Sequence, residues 1–203
     1  MTIRVLLADD EQLTRQAIEA LLNLEGDIHV VAGVADGSAA LEAFTAHHPD
    51  VVVLDHEMPV LNGLNTLARI TAQQDGGPAC IVLTRHARPG LLRQALSMGA
   101  KGFLAKTAPA SVLADVIRRV HAGMRYVDPD FAADALAEPT CPLTERELDV
   151  LRLVDDTATA ADIAGRTHLS AGTVRNYISA AMTKLDATTR GQAARIARDH
   201  GWL

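Results

Sequence analysis

Apolar and polar positions change their period along this chain in regular blocks. Runs of β-branched and other apolar residues at Ile3–Ala8, Ile28–Val34, Val51–Leu54, Cys80–Leu83 and Gly102–Leu104 have the length and composition of strands. Between them apolar residues recur every three or four positions, as in Leu13, Ala17, Ala20, Leu21 and Leu24 or in Leu113, Val116, Ile117 and Val120, the spacing of helices with one buried face. Strict alternation of strand and helix predicts a parallel sheet covered on both sides, because each crossover lays a helix on one face. Val51–Leu54 is apolar at every position and suits its centre. The expectation is a doubly wound, five-stranded α/β domain over residues 1–123.

The alternation stops near Gly123. Pro129, Pro139 and Pro142 interrupt an Ala- and Asp-rich stretch, which reads as a linker over 124–141 with one short helix around Phe131–Leu136. Residues 142–203 read as all-α, with helices at Glu145–Val154, Ala160–Arg166, Ala171–Leu185 and Gln192–Asp199. Thr144 and Glu147 have capping-box spacing, and Ser170 is placed to cap the third of these helices. Ala160–Arg166, a short turn and Ala171–Leu185 form a helix-turn-helix pattern, with Ile163 and Ala164 expected against Val174 and Ile178.

Composition narrows the class. With 203 residues and 48% hydrophobic content the chain can bury a core, which argues against overall disorder. A net charge of -6 argues against indiscriminate coating of nucleic acid. That mean hides an asymmetry, since Arg166, Arg175, Lys184, Arg190, Arg195 and Arg198 make the carboxy-terminal half basic. Cys80 and Cys141 lack CxxC spacing, so neither a disulfide framework nor a zinc site is expected. No apolar run approaches the roughly 20 residues of a membrane span, and a cytoplasmic protein without membrane insertion is expected.

In a doubly wound sheet, functional groups gather beyond the carboxyl ends of the strands. Asp9 and Asp10 end the first strand, Asp55 the third and Thr84 the fourth, and Lys106 follows the fifth. Each has an ordinary reading alone: acidic pairs cap helices, and threonine often sits in turns. Together they bring three carboxylates, a hydroxyl and an ammonium to one rim. Grouped carboxylates repel unless a cation intervenes, and hard oxygen donors suit Mg²⁺. A metal set of Asp9, Asp10, Asp55 and the backbone carbonyl of Glu57 leaves the Asp55 carboxylate able to attack a phosphoryl group, with Lys106 pairing its oxygens and Thr84 bonding the group on arrival.

The runs LLADDE, VVVLDHEMPVLNG, IVLT and GAKGFLAK resemble the receiver domain of two-component response regulators, a flavodoxin-like fold. The resemblance implies phosphorylation of Asp55 by a sensor histidine kinase. It also implies a switch in which Thr84 moves to the phosphoryl oxygens and the Phe103 ring turns into the space left, although phenylalanine is more commonly a plain core residue. PLTERELDVLRLV and ADIAGRTHLSAGTVRNYISAAMTKLDATTR are similar to the LuxR-type effector domain of the NarL/FixJ subfamily. That implies operator DNA as partner, with Arg175, Asn176 and Ser179 at base edges and Thr173, Lys184 and Arg190 at phosphates, and a homodimer on activation. Ala193, Ala194, Ile196 and Ala197 offer a small-residue face that either pairs two effector domains or packs on its own core. SAGTVRNYIS and HARPG are similar to runs in regulators of membrane-lipid desaturase expression.

Three departures stand out. Arg85, followed by His86, replaces the small residue usual after the threonine; Asp156-Thr157-Ala158 replaces a turn glycine; and Gly172 takes a position that is often lysine. Two other classes compete. A haloacid-dehalogenase-like phosphohydrolase also carries an aspartate after an apolar strand, but Glu57 stands where its second aspartate belongs. A constitutive DNA-binding protein would not need Asp9, Asp10, Asp55, Thr84 and Lys106 together.

Overall fold

The computed structural model describes residues 2–73, 77–85, 89–137, 141–155 and 158–203; His86, Asp156 and Thr157 lie outside them. Strands β1 (Ile3–Ala8), β2 (Ile28–Val34), β3 (Val51–Asp55), β4 (Ala79–Thr84) and β5 (Gly102–Ala105) alternate with helices α1 (Gln12–Asn23), α2 (Gly37–His47), α3 (Gly63–Gln73), α4 (Pro89–Ser97) and α5 (Ala110–His121). They form one sheet in the order β2-β1-β3-β4-β5-β6, with every neighbouring pair parallel. β3 is central and buried at all positions, as its unbroken apolar run predicts.

Alternate residues serve opposite faces. Val5, Leu7, Val51, Val53, Ile81, Leu83 and Leu104 pack in one cluster with Leu22 of α1 and with Leu113, Val116, Ile117 and Val120 of α5. On the other face α2 packs against β1, β2 and α3, and α3 against β3 and β4. The period of two in the strands and of 3.6 in the helices thus resolves into three layers.

The sheet has six strands, not five. The sixth, β6 (Tyr126–Val127), falls in the stretch read as linker and is followed by α6 (Pro129–Ala137). Two residues are too short for any periodicity to show. β6 exists because β5 presents its outer carbonyls: the Tyr126 N–H donates to Lys101 O at 2.8 Å and the Asp128 N–H to Phe103 O at 3.0 Å.

The chain divides into two units, the first comprising residues 1–87 and 92–133 and the second residues 88–91 and 134–203. In the second lie α7 (Glu145–Arg152), α8 (Ala160–Thr167), α9 (Ala171–Lys184) and α10 (Arg190–Asp199). Their core includes Val150, Leu151, Ile163, Val174, Ile178 and Ala181. The expected capping box is present at α7, Thr144 Oγ1 accepting from Glu147 N and Glu147 Oε2 accepting from Thr144 N. Ser170 Oγ caps α9 by accepting from Thr173 N at 3.0 Å. Ala193, Ala194 and Ala197 are buried in this unit's own core, so of the two uses open to the small-residue face the structure shows the internal one.

Candidate functional site

The carboxyl ends of β1 and β3 and the residue after β5 bring Asp9, Asp10, Asp55 and Lys106 together. Parallel pairing aligns these ends, since Ala8 stands beside Leu54 and Thr84 beside Ala105. Asp9, Asp55 and Thr84 are all buried. The Lys106 ammonium, 6% exposed, lies 2.7 Å from Asp55 Oδ2 and 2.9 Å from Asp9 Oδ2, so one buried cation holds two buried anions.

The loop after β3 is drawn tightly against the site. Glu57 N donates to Asp55 Oδ1 at 3.3 Å, and Gly63 N donates to His56 O at 3.1 Å. A Cβ on Gly63 would fall on the Asp55 carbonyl oxygen, which is why α3 begins on a residue without one. Val60, in the same loop, holds a left-handed backbone with φ 64°.

Electrostatics follow from burial. Desolvation pushes the Asp55 carboxyl above its ordinary range, against the pull of Lys106 and the Glu57 N–H. Burial also disfavours the Lys106 ammonium, yet Asp55 and Asp9 together hold its pKa above the usual lysine value. The three aspartates offer carboxylate oxygens all within 4.8 Å of one another. Asp9 Oδ2 is sealed from water and accepts no aligned hydrogen bond, its charge being met by the ammonium. Three carboxylates against one lysine leave a surplus of hard anionic oxygen, the donor set that fits a small divalent cation.

A cavity of about 120 Å³ opens over these groups, lined among the described residues by Asp10, Glu11, Asp55, Glu57, Arg85 and Lys106. Thr84 ends β4 beside it, its carbonyl accepting from Lys106 N at 2.8 Å. Phe103 is fully buried one strand away, its ring edge-on to Phe131 of α6 at 5.7 Å between centroids. Two participants escaped the sequence reading. Glu11, the third acid of LLADDE, pairs with Arg85 and lies 3.7 Å from Lys106 Nζ. Phe131 carried no signal beyond its place in a short apolar helix.

In the second unit α8, a turn through His168 in the left-handed region, and α9 make the expected bend. Arg175, Asn176 and Ser179 lie exposed on one face of α9, and Thr173 is half-buried at its start. Lys184 and Arg190 do more than face outward. Lys184 Nζ donates to the buried Glu147 carboxylate at 2.8 Å, and Arg190 donates to the Ala158 carbonyl.

Comparison with known proteins agrees with this geometry. Residues 5–118 match the response regulator receiver domain, and residues 141–197 match the luxR family of bacterial regulatory proteins. The chain is 38% identical over 201 residues to the transcriptional regulatory protein DesR of Bacillus subtilis (strain 168), covering 99% of each. It is 39% identical over 201 residues to the transcriptional regulatory protein YvfU of the same organism, covering 99% of this chain and 100% of that protein. Among solved structures, the response regulator ChrA of a heme-sensing two-component system aligns over 100% of this chain and 99% of that one, with a TM-score of 0.59 at 29% identity.

Proposed function

Because this chain belongs to the two-component response regulators and is a transcriptional regulator with a LuxR-type DNA-binding domain, we propose that Asp55 is its phosphoacceptor and that phosphorylation by a sensor histidine kinase controls operator binding through the second unit. The observation that carries this reading is the Lys106 ammonium bridging Asp55 and Asp9 beneath an open polar cavity. A buried carboxylate with a fixed cation beside it is held for in-line attack, and the same cation neutralises charge as the phosphoryl group arrives.

In the transfer, an Asp55 carboxylate oxygen bonds to phosphorus as the phosphorus–nitrogen bond of the kinase's phosphohistidine breaks, and the imidazole nitrogen keeps the electron pair. Asp9, Asp10, Asp55 and the Glu57 carbonyl would hold Mg²⁺, which when bound would supply positive charge to the phosphoryl oxygens. The Thr84 hydroxyl donates to a phosphoryl oxygen, and Phe103 moves with it. The added charge of about -1.5 to -2 favours a conformation that pairs two chains. Driving such an equilibrium from mostly off to mostly on takes about 5.5 kcal/mol of differential stabilisation, divided between the modification and the dimer contacts.

On DNA, Arg175, Asn176 and Ser179 read base edges in the major groove while Thr173, Lys184 and Arg190 meet phosphates. Lys184 and Arg190 each keep N–H donors beyond the one used inside the unit. Operator DNA as the target puts the protein's work in the cytoplasm. DesR and YvfU match this chain at 38% and 39% identity, so identity does not choose between these two relatives.

The reading is tested with the full chain, Mg²⁺ and acetyl phosphate. Asp55 should gain one phosphoryl group by intact mass, operator affinity should rise, and Asp55→Asn should lose both effects. Equal phosphorylation or equal activation of the Asp55→Asn variant would sink it.

A further inference from the structure

Among the described residues of the site, Arg85 departs from the family resemblance. It follows Thr84 at the end of β4 and lines the same cavity as Asp55 and Lys106. Its guanidinium is paired with Glu11 at the cavity's rim, where the two side chains are 49% and 37% exposed. Glu11 Oε2 also accepts from the Thr14 hydroxyl at 3.1 Å and lies 3.7 Å from Lys106 Nζ. Asp55, Lys106, Glu11 and Arg85 therefore form a chain of alternating charge leading from the buried carboxylate to solvent.

An ion pair this exposed holds its partners weakly and costs little to open. A phosphoryl group on Asp55 brings more negative charge than the Glu11 carboxylate, with three acceptor oxygens, into a more enclosed position. Guanidinium groups have a planar fork of donors suited to such oxygens. We propose, building on Asp55 as phosphoacceptor, that Arg85 is a second cationic ligand of the phosphoryl group, parked on Glu11 at the rim until that group arrives. Lys106 serves the buried side of the phosphoryl group and Arg85 the solvent side. Glu11 is a positioning residue that competes for the guanidinium and sets how readily it is released.

The test uses the full chain with Mg²⁺ and two probes. Beryllofluoride binds without covalent chemistry, and its affinity is read by fluorine NMR. Acetyl phosphate transfers its phosphoryl group, the Asp55 oxygen bonding to phosphorus as acetate leaves with the electrons of the broken phosphorus–oxygen bond, and intact mass reads the product.

Arg85→Ala should lower beryllofluoride affinity about tenfold, as loss of a charge-assisted contact requires. Arg85→Lys, which keeps the charge and loses the fork, should fall between. Glu11→Gln should raise affinity, and that gain should vanish in the Arg85→Ala background, a non-additivity that a purely structural salt bridge would not produce. The inference is overturned if the unaltered chain takes up both probes and Arg85→Ala binds beryllofluoride equally well, or if the Glu11→Gln effect persists in full without Arg85. Uptake of neither probe by the unaltered chain overturns the phosphoacceptor reading itself, and this inference with it.

Discussion

At the scale of single residues, Asp55 and Val60 carry opposed demands. Burial raises the Asp55 carboxyl pKa despite Lys106, so the folded chain binds that proton more tightly than the unfolded one. Stability contributed by Asp55 is then present at low pH and lost as pH rises from the ordinary value of 3.8 through the raised one. Asp55→Asn should melt higher than the unaltered chain at neutral pH without divalent cations, and the two curves should converge in acid; no difference at pH 7 would count against it. Lys106 also lies 2.9 Å from Asp9 Oδ2, so the substitution leaves no buried cation without an anionic partner. Val60, 85% exposed and at φ 64°, has a β-branched side chain where L residues are strained. Val60→Gly removes that strain, and a gain of about 1 kcal/mol in denaturant unfolding is expected.

At the scale of elements, the starts of α7 and α8 are secured by capping boxes, Thr144 with Glu147 and Thr159 with Asp162. Their spacing is local, so the first could be read directly from Thr144 and Glu147. What could not be read is that Glu147 also ties α7 to the end of α9 through Lys184. Burial opposes the Glu147 charge, but Lys184 and the Thr144 bonds outweigh it and hold its pKa below the usual 4.5. Stability from this group is therefore present above that value and lost as pH falls below it. Glu147→Gln should cost about 1 to 3 kcal/mol at pH 7 and flatten the acid limb of the second unit's unfolding, followed by circular dichroism against pH. An unchanged acid limb would mean that the pair contributes nothing.

At the scale of the whole molecule, each unit has its own hydrophobic core. Ile163 is fully buried in the second, and Ile163→Ala should cost that unit about 2 to 5 kcal/mol. Hydrogen exchange should accelerate across α7 to α10 while the amides of β1, β3 and β4 keep their protection, and acetyl phosphate should still modify Asp55. Equal loss of protection in both units would show a single cooperative fold.

The alternation of strand and helix, the parallel sheet, the helix-turn-helix and the gathering of Asp9, Asp10, Asp55 and Lys106 at one rim were legible in the order of residues. Each follows from a local period or from the rule that parallel strands point their carboxyl ends the same way. The rest emerged with the folded chain: β6 on the outer edge of β5, Phe131 against Phe103, Lys184 on Glu147, the alanines of α10 turned inward, and Glu11 joined to Arg85. These pairings unite residues distant in sequence, and short elements or single side chains leave no period to read. The Glu11–Arg85 pair at the rim of the site belongs to this second group, because it depends on how close the chain after β1 comes to the end of β4.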